Sequence, residues 1–107
     1  MTKLVDHLKA ELNKIPNVSI APYKQTDLTC VSYLGKEFAH FHDDHEIDVR
    51  IPQKFAKRKQ LGEPIQSARH PDRSKKSIWR SLRFETPAET DALIELIQAL
   101  LEEEYRT

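Results

Sequence analysis

The chain has 107 residues, enough for one hydrophobic core, and predicts a single domain over residues 1–107. Seventeen Lys and Arg residues cancel seventeen Asp and Glu residues, so net charge alone favours neither nucleic acid nor a membrane surface as a partner. The single cysteine, Cys30, excludes an internal disulfide and a cysteine-based structural zinc site. No apolar run approaches the ~20 residues of a membrane span, and no signal-peptide core follows Met1, so we expect a cytoplasmic protein without a membrane partner.

The first half of the chain changes from a helical to an alternating apolar pattern. Apolar residues at helical spacing predict an amphipathic helix over residues 3–14, which Pro16-Asn17 ends. Alternation then predicts four antiparallel strands in a meander, with Gly35-Lys36 as the turn before the third. The predicted strands are Val18–Ile20, Leu28–Leu34, Phe38–His42 and Glu46–Ile51. Cys30 lies in the second strand, where a structural thiol is favoured over a nucleophile because no local base or cation lowers its pKa.

Strands three and four form a predicted hairpin. Asp43-Asp44 has the short acidic side chains that tight turns accept, and a two-residue turn there places His40 opposite Ile47. His40 and His42 then share the core-facing side with apolar residues, whereas Asp48 points to the other side. A register slip of one residue, or a β-bulge, reverses this assignment.

The second half begins with a short helix and a polar loop. Pro52 opens the helix and Gly62 ends it. A short extended piece, Ile65–Ala68, leads into Arg69–Ser77, which has no apolar residue and is predicted to be an exposed loop. Ile78–Phe84 alternates and is predicted to be the last strand.

A capping box marks the start of the last helix. Thr86-Pro87-Ala88-Glu89 has proline at the first helical position, and the broad apolar face that follows reaches Tyr105. Together the elements predict an α+β fold in two layers, with three helices on an antiparallel sheet of about five to six strands. The predicted order is α-β-β-β-β-α-β-β-α.

His40 and His42 are the candidate catalytic residues. At two positions apart on a strand, their imidazoles lie on one side about 7 Å apart, a spacing that acid–base sites and metal sites both use. Of these two kinds of site we favour the acid–base one and predict no metal and no cofactor, because further ligands would have to come from His45, Asp43 or Asp44 at the hairpin tip. The alternative is that both are hydrogen-bonded structural histidines.

The first function hypothesis is a small-molecule pocket for an aromatic or oxygenated ligand, lined by His40 and His42. It would lie in a cleft between the hairpin and the Arg69–Ser77 loop, because buried ring nitrogens need polar access. Ligand affinity would change with pH near about 6–7, where imidazoles titrate. Further candidate ligand-binding residues are Phe38, Trp79, His70 and Arg80. Trp79 has a core interpretation as well as this ligand-stacking one.

The alternative function is a non-enzymatic interaction module. Residues 50–83 contain eleven basic and two acidic residues, a balance of +9 that leaves −9 for the rest of the chain. Such a basic region can bind nucleic acid or an acidic partner, although two oppositely charged surfaces of a soluble protein also explain it. No recognised nucleic-acid motif accompanies it.

Several short motifs occur in a characteristic order. They are Gly35-Lys36-Glu37, His40-x-His42, Asp48 followed by Pro52, Gly62-Glu63-Pro64, Trp79 before an alternating strand, and a terminal helix ending near Tyr105. In this order, over about residues 17–106, the chain resembles the luciferase-domain family of small, mostly uncharacterised bacterial proteins. The chain departs from the family at Ile65, where histidine is common, and at Ile78, where glycine is common. His70 is a candidate substitute for the missing histidine.

The resemblance implies little about activity. The family takes its name from fungal luciferases, which oxygenate a hydroxylated pyrone without a metal or a flavin. A light-producing reaction is not expected of most small members. The resemblance therefore leaves open whether this chain catalyses a reaction or only binds a ligand.

Overall fold

The computed structural model describes residues 3–22, 29–61 and 78–105. The elements in chain order are α1 (Leu4–Asn13), β1 (Val18–Pro22), β2 (Thr29–Tyr33), β3 (Lys36–Asp43), β4 (Glu46–Arg50), α2 (Gln53–Arg58), β5 (Trp79–Arg83) and α3 (Pro87–Leu100), which a π-helical turn, Leu101–Tyr105, extends. The predicted α+β fold and its element order are confirmed. The predicted extended piece Ile65–Ala68 and the predicted loop Arg69–Ser77 lie outside the described residues.

The five described strands form one antiparallel sheet in which each strand pairs with its neighbours in sequence. The turn between β2 and β3 is Leu34-Gly35, one residue before the predicted pair. Both residues have positive φ, 52° and 84°, as a two-residue hairpin turn of the type that matches strand twist requires. Leu34 tolerates this conformation at the surface, where 59% of it is exposed.

Helices α1 and α3 pack against each other and against the apolar face of the sheet. Leu8 and Leu12 of α1 and Ile97 and Leu100 of α3 are fully buried. The sheet contributes Val31, Ala39, Phe41, Ile47 and Val49 to the same core, and α2 contributes Phe55 and Ala56. Each large apolar side chain buried in this way stabilises the fold by about 1.5–3 kcal/mol before entropy is counted.

Polar contacts fix both ends of the last helical segment. The Thr86 hydroxyl accepts a hydrogen bond from the Glu89 N–H at 3.1 Å, and the Glu89 carboxylate accepts one from the Glu85 N–H at 3.1 Å. The predicted helix start is therefore confirmed. At the other end, the Tyr105 hydroxyl donates to the Arg50 carbonyl at 2.6 Å, which connects the π-helical turn to the end of β4. Within the described ranges, no helix is long and apolar enough to cross a membrane.

Candidate functional site

The register of the β3–β4 hairpin differs from the prediction, and this difference determines which residues form the site. The turn is Asp44-His45, with Asp43 opposite Glu46, and the Asp43 carboxylate accepts the His45 N–H at 2.7 Å. Because the turn lies one residue later, the cross-strand partner of each β3 residue changes by two positions. A change of two leaves every side chain on its predicted face of the sheet. The bulge at His42 then shifts the register by one and places His40 opposite Asp48, not Ile47. The predicted placement of Asp48 on the face away from the histidines was wrong.

A polar row therefore crosses the sheet on one face. Cys30 of β2 pairs with His40 of β3, His40 pairs with Asp48 of β4, and Asp48 pairs with Ser81 of β5. Residues directly opposite each other on neighbouring strands point to the same side. The sequence predicted that the histidines face the helix-covered core. They instead point to the opposite side of the sheet, where this row lies.

A second bulge brings Glu37 onto the same face. The register of β2 with β3 shifts between Val31 and Ser32, so Glu37 and His40, three residues apart, lie side by side. One Glu37 oxygen lies 3.2 Å from His40 Nδ1, and the other accepts the Cys30 S–H at 3.1 Å. Glu37 thus contacts an imidazole and a thiol at once.

The centre of the row is the carboxylate of Asp48 between two imidazoles. Asp48 Oδ2 lies 3.4 Å from His40 Nε2 and 3.8 Å from His42 Nε2. On its far side, His42 Nδ1 lies 3.5 Å from a Glu46 oxygen. Carboxylates and imidazoles therefore alternate in the order Glu37, His40, Asp48, His42, Glu46. The two imidazole ring centroids are 5.0 Å apart and the rings are tilted by 51°.

Most of this chain of groups is removed from water. The side chains of Asp48, His42 and Glu46 are 1%, 2% and 9% exposed, whereas that of His40 is 20% exposed. Burial lowers the pKa of His42, and the nearby Asp48 carboxylate opposes that shift. Burial also raises the pKa of the Cys30 thiol, to which the Glu37 contact adds, so this thiol is poorly nucleophilic. The structural interpretation of Cys30 agrees with this environment.

The partly exposed side of the site is formed by His40 and Trp79. Their ring centroids are 5.3 Å apart with a tilt of 45°. Trp79 pairs with Arg50, next to the Asp48–Ser81 pair, and is only partly buried. An aromatic ring thus flanks the one imidazole of the pair that solvent reaches.

A comparison with protein-family models gives a match described as "Luciferase domain" over residues 35–100, more than half of the 107-residue chain. The chain belongs to the luciferase-domain family. Neither the curated proteins nor the solved structures give a significant match. The family match spans β3, β4, α2, β5 and α3, and so contains His40, His42 and Asp48, whereas Cys30 precedes it.

The other predicted site residues of this luciferase-domain chain lie in different places. Phe38 is fully buried and its ring is 5.9 Å from that of Tyr105, on the core side. Arg80 is buried opposite Val49, on the face away from Asp48, and burial lowers its pKa. His70 lies outside the described residues. The ligand-binding roles of these residues stay predictions.

A cavity of about 80 Å³ touches His42. Its other lining residues belong to α1 and to neighbouring strand and turn positions: Val5, Lys9, Thr29, Phe41, Asp43 and Asp44. A larger open groove of about 780 Å³ lies between the end of α1 and α3, on other residues. The predicted cleft beside Arg69–Ser77 involves residues outside the described ranges, so its existence stays a prediction.

The sequence analysis did not assign Glu37, Glu46 or Asp48 to the site, although it noted that a β-bulge would bring Asp48 to the face of the histidines. Glu37 lies on β3 with the two histidines, and Glu46 and Asp48 lie on the neighbouring strand β4. Only the two bulges place all three acids beside imidazoles. The usable signal was the concentration of acids and histidines in Glu37–Asp48, which a strict alternation assigned to two different faces. A metal-ligating set of His40, His42 and Asp48 likewise emerges only once the register is known.

Proposed function

We propose that this luciferase-domain chain binds a small aromatic or oxygenated molecule at the His40–His42–Asp48 centre and acts on it through the imidazoles. The observation that supports the proposal is the convergence of both Nε2 atoms on one carboxylate oxygen, at 3.4 and 3.8 Å. Catalytic and binding sites need groups whose orientation is fixed in advance, and the shared, buried Asp48 beside both rings supports such an arrangement.

The exposure of the centre supports a ligand that approaches from the side of His40 and Trp79. His40 is the more exposed imidazole, and the Trp79 ring beside it offers an apolar face on which a planar molecule can stack. The His40 ring nitrogens then exchange hydrogen bonds or a proton with the ligand's oxygen atoms. Membership of the family supports the same ligand class, since the luciferases that give it its name act on a hydroxylated pyrone.

The test is a ligand screen with hydroxylated pyrones and phenols, read by isothermal titration calorimetry. Replacing His40 and His42 together with alanine is expected to lower the affinity of any hit by at least about tenfold, because two oriented hydrogen-bonding groups are lost. The matched control is His45→Ala, which removes an exposed imidazole from the turn of the same hairpin. An affinity that survives the double substitution, or that falls equally in the control, would move the site elsewhere.

The alternative, binding of nucleic acid or an acidic partner through residues 50–83, gains no support from the described part of that region. Arg58 contacts Glu103 at 2.9 Å and Lys59 contacts the same residue at 3.0 Å, so two of its basic side chains already face an acid. An electrophoretic shift with mixed DNA and RNA at about 50 mM salt tests it, because phosphate contacts strengthen as salt falls. The cytoplasmic location is likewise still a prediction.

A further inference from the structure

We propose that His40 Nε2, His42 Nε2 and Asp48 Oδ2 form a binding site for one divalent first-row transition-metal ion. The inference rests on the proposed function in that it concerns the same centre, and it names the cofactor that would hold an oxygenated ligand there. It replaces the expectation from the sequence that the chain uses no metal.

The first argument is the convergence of the three atoms. All three ligand atoms lie within 4.8 Å of one another, and the two nitrogens lie 3.4 and 3.8 Å from the Asp48 oxygen. Ligand atoms bonded to a tetrahedral metal at about 2.0–2.1 Å are themselves about 3.4 Å apart. The 3.4 Å distance to Asp48 matches that of a metal-bound set, and metal binding would require the 3.8 Å distance to shorten by a few tenths of an ångström.

The second argument is the set of groups behind the ligands. His40 Nδ1 lies 3.2 Å from a Glu37 oxygen, and His42 Nδ1 lies 3.5 Å from a Glu46 oxygen. Metal-bound histidines characteristically donate their other ring N–H to a carboxylate, which fixes the ring and leaves a lone pair on the metal-facing nitrogen. Here His40 Nδ1 lies within hydrogen-bonding distance of Glu37, His42 Nδ1 lies near Glu46 without a hydrogen bond to it, and both rings turn Nε2 toward Asp48.

The charge around the two rings also suits a bound cation. In the tautomer that carries its proton on Nδ1, each neutral imidazole presents its Nε2 lone pair toward the Asp48 oxygen. Three carboxylates also surround the two rings, and the Asp48 side chain is only 1% exposed. The negative charge of these carboxylates would attract a divalent ion at this point.

The ligand set indicates the class of metal and its use. Two imidazoles and one carboxylate suit zinc, iron(II) and manganese better than the all-oxygen sites of calcium. Three protein ligands leave at least one coordination position open, which is the pattern of catalytic rather than structural metal sites. An oxygen atom of the small molecule would take that position, on the side where His40 is 20% exposed.

The experiment is titration of the chelator-treated 107-residue chain with Co²⁺, read by its visible d–d absorption, followed by displacement with Zn²⁺. We expect one Co²⁺ per chain, with intense bands of a four- or five-coordinate site that Zn²⁺ abolishes. Asp48→Asn and the pair His40→Ala with His42→Ala should weaken binding at least about 100-fold, and Glu37→Gln about 10–100-fold. His45→Ala, on the exposed turn, should bind Co²⁺ as the unchanged chain does.

A readout on the unchanged chain guards against variants that lose metal binding because they misfold. On adding diamagnetic Zn²⁺ to the unchanged chain, the Nε2 nitrogen signals of two histidines should shift, and single His→Ala variants at 7, 40, 42, 45 and 70 assign them. Six-coordinate Co²⁺ with weak bands, no saturable binding, or shifts confined to histidines other than His40 and His42 would overturn the metal site.

The two proposals fail separately. If a screened small molecule binds equally with and without chelator and Co²⁺ does not saturate, the metal site is refuted and the small-molecule site stands. If Co²⁺ binds at the stated residues but no hydroxylated pyrone or phenol binds with or without it, the metal site stands and the proposed ligand class fails.

Discussion

Glu37 contacts two side chains of different chemistry, the imidazole of His40 and the thiol of Cys30. Its carboxylate contacts His40 Nδ1 and accepts the Cys30 S–H, so it orients a ring and stabilises a protonated thiol. Burial makes the largest contribution to the raised pKa of Cys30, and the Glu37 contact adds to it, whereas the Ser32 contact at 3.8 Å opposes it. The reactivity of the single cysteine therefore reports on this corner of the site.

Glu37→Gln is expected to speed alkylation of Cys30 by iodoacetamide at about pH 8, because loss of the negative charge lowers the thiol pKa and raises the thiolate fraction. Ser32→Ala should have the opposite effect, since it removes the contact that favours the thiolate. Mass spectrometry of the folded chain over time measures both rates. Equal rates in all three chains would show that Glu37 does not contact the thiol in solution.

At the scale of single elements, α3 depends on its first turn. The Thr86 side chain accepts the Glu89 N–H, one of the backbone donors that a helix start leaves without a partner. Thr86→Ala is expected to cost about 1 kcal/mol of unfolding free energy, and Thr86→Ser much less because it keeps the oxygen. Urea denaturation measures the difference, and a loss in Thr86→Ser as large as in Thr86→Ala would contradict the capping role.

The end of the same helical segment gives a pH-dependent prediction. Burial raises the pKa of Tyr105 above 10, so the folded chain keeps this proton more tightly than the unfolded chain. The stability that Tyr105 contributes is thus fully present below the unfolded pKa of about 10 and is lost as pH rises through the folded value. Tyr105→Phe should remove this alkaline loss.

At neutral pH the same substitution should cost about 1 kcal/mol, because the hydrogen bond to the Arg50 carbonyl disappears. Urea denaturation at several pH values between about 7 and 11 checks both parts. If the stability of Tyr105→Phe falls with alkaline pH as steeply as that of the unchanged chain, other groups cause the loss.

Across the whole molecule, the helices and strands that have a periodic apolar pattern could be predicted from the sequence. The register between neighbouring strands could not. Helical spacing from Leu4 to Leu12 and the capping box at Thr86 predicted α1 and α3, and alternation predicted the strands of the hairpin. A β-bulge adds one residue without changing the kind of residue found in the strand, so the pattern carries no sign of it. The bulges at His42 and beside Val31 nevertheless decide which face each side chain joins.

The candidate site was predictable in the same partial way. The proximity of His40 and His42 follows from their spacing on one strand, and it was correct. The contribution of Asp48 depends on a cross-strand register, which turn position and bulge together determine. Contacts within one strand can thus be inferred from sequence spacing, whereas contacts between strands need the structure.

The core that supports this sheet gives a prediction with a matched control. Leu8→Ala removes a fully buried side chain and is expected to cost about 2–5 kcal/mol. Leu34→Ala makes the same chemical change where 59% of the residue is exposed, and should stay within about 1 kcal/mol of the unchanged chain. Urea denaturation measures the loss of unfolding free energy in both variants. Equal losses would show that Leu8 of α1 is not buried against the sheet.

The central claim is that one buried carboxylate, Asp48, holds two imidazoles on the same face of the sheet. Long-range ¹H–¹⁵N correlation spectra of the histidine rings in the metal-free chain test it most directly, with Asp48→Asn compared against Asp43→Asn on the same hairpin. We predict that Asp48→Asn moves the Nε2 signals of both His40 and His42 and leaves His7 unchanged, whereas Asp43→Asn moves neither. Unchanged Nε2 signals in Asp48→Asn would show that Asp48 lies on the other face, as strict alternation of the strand requires.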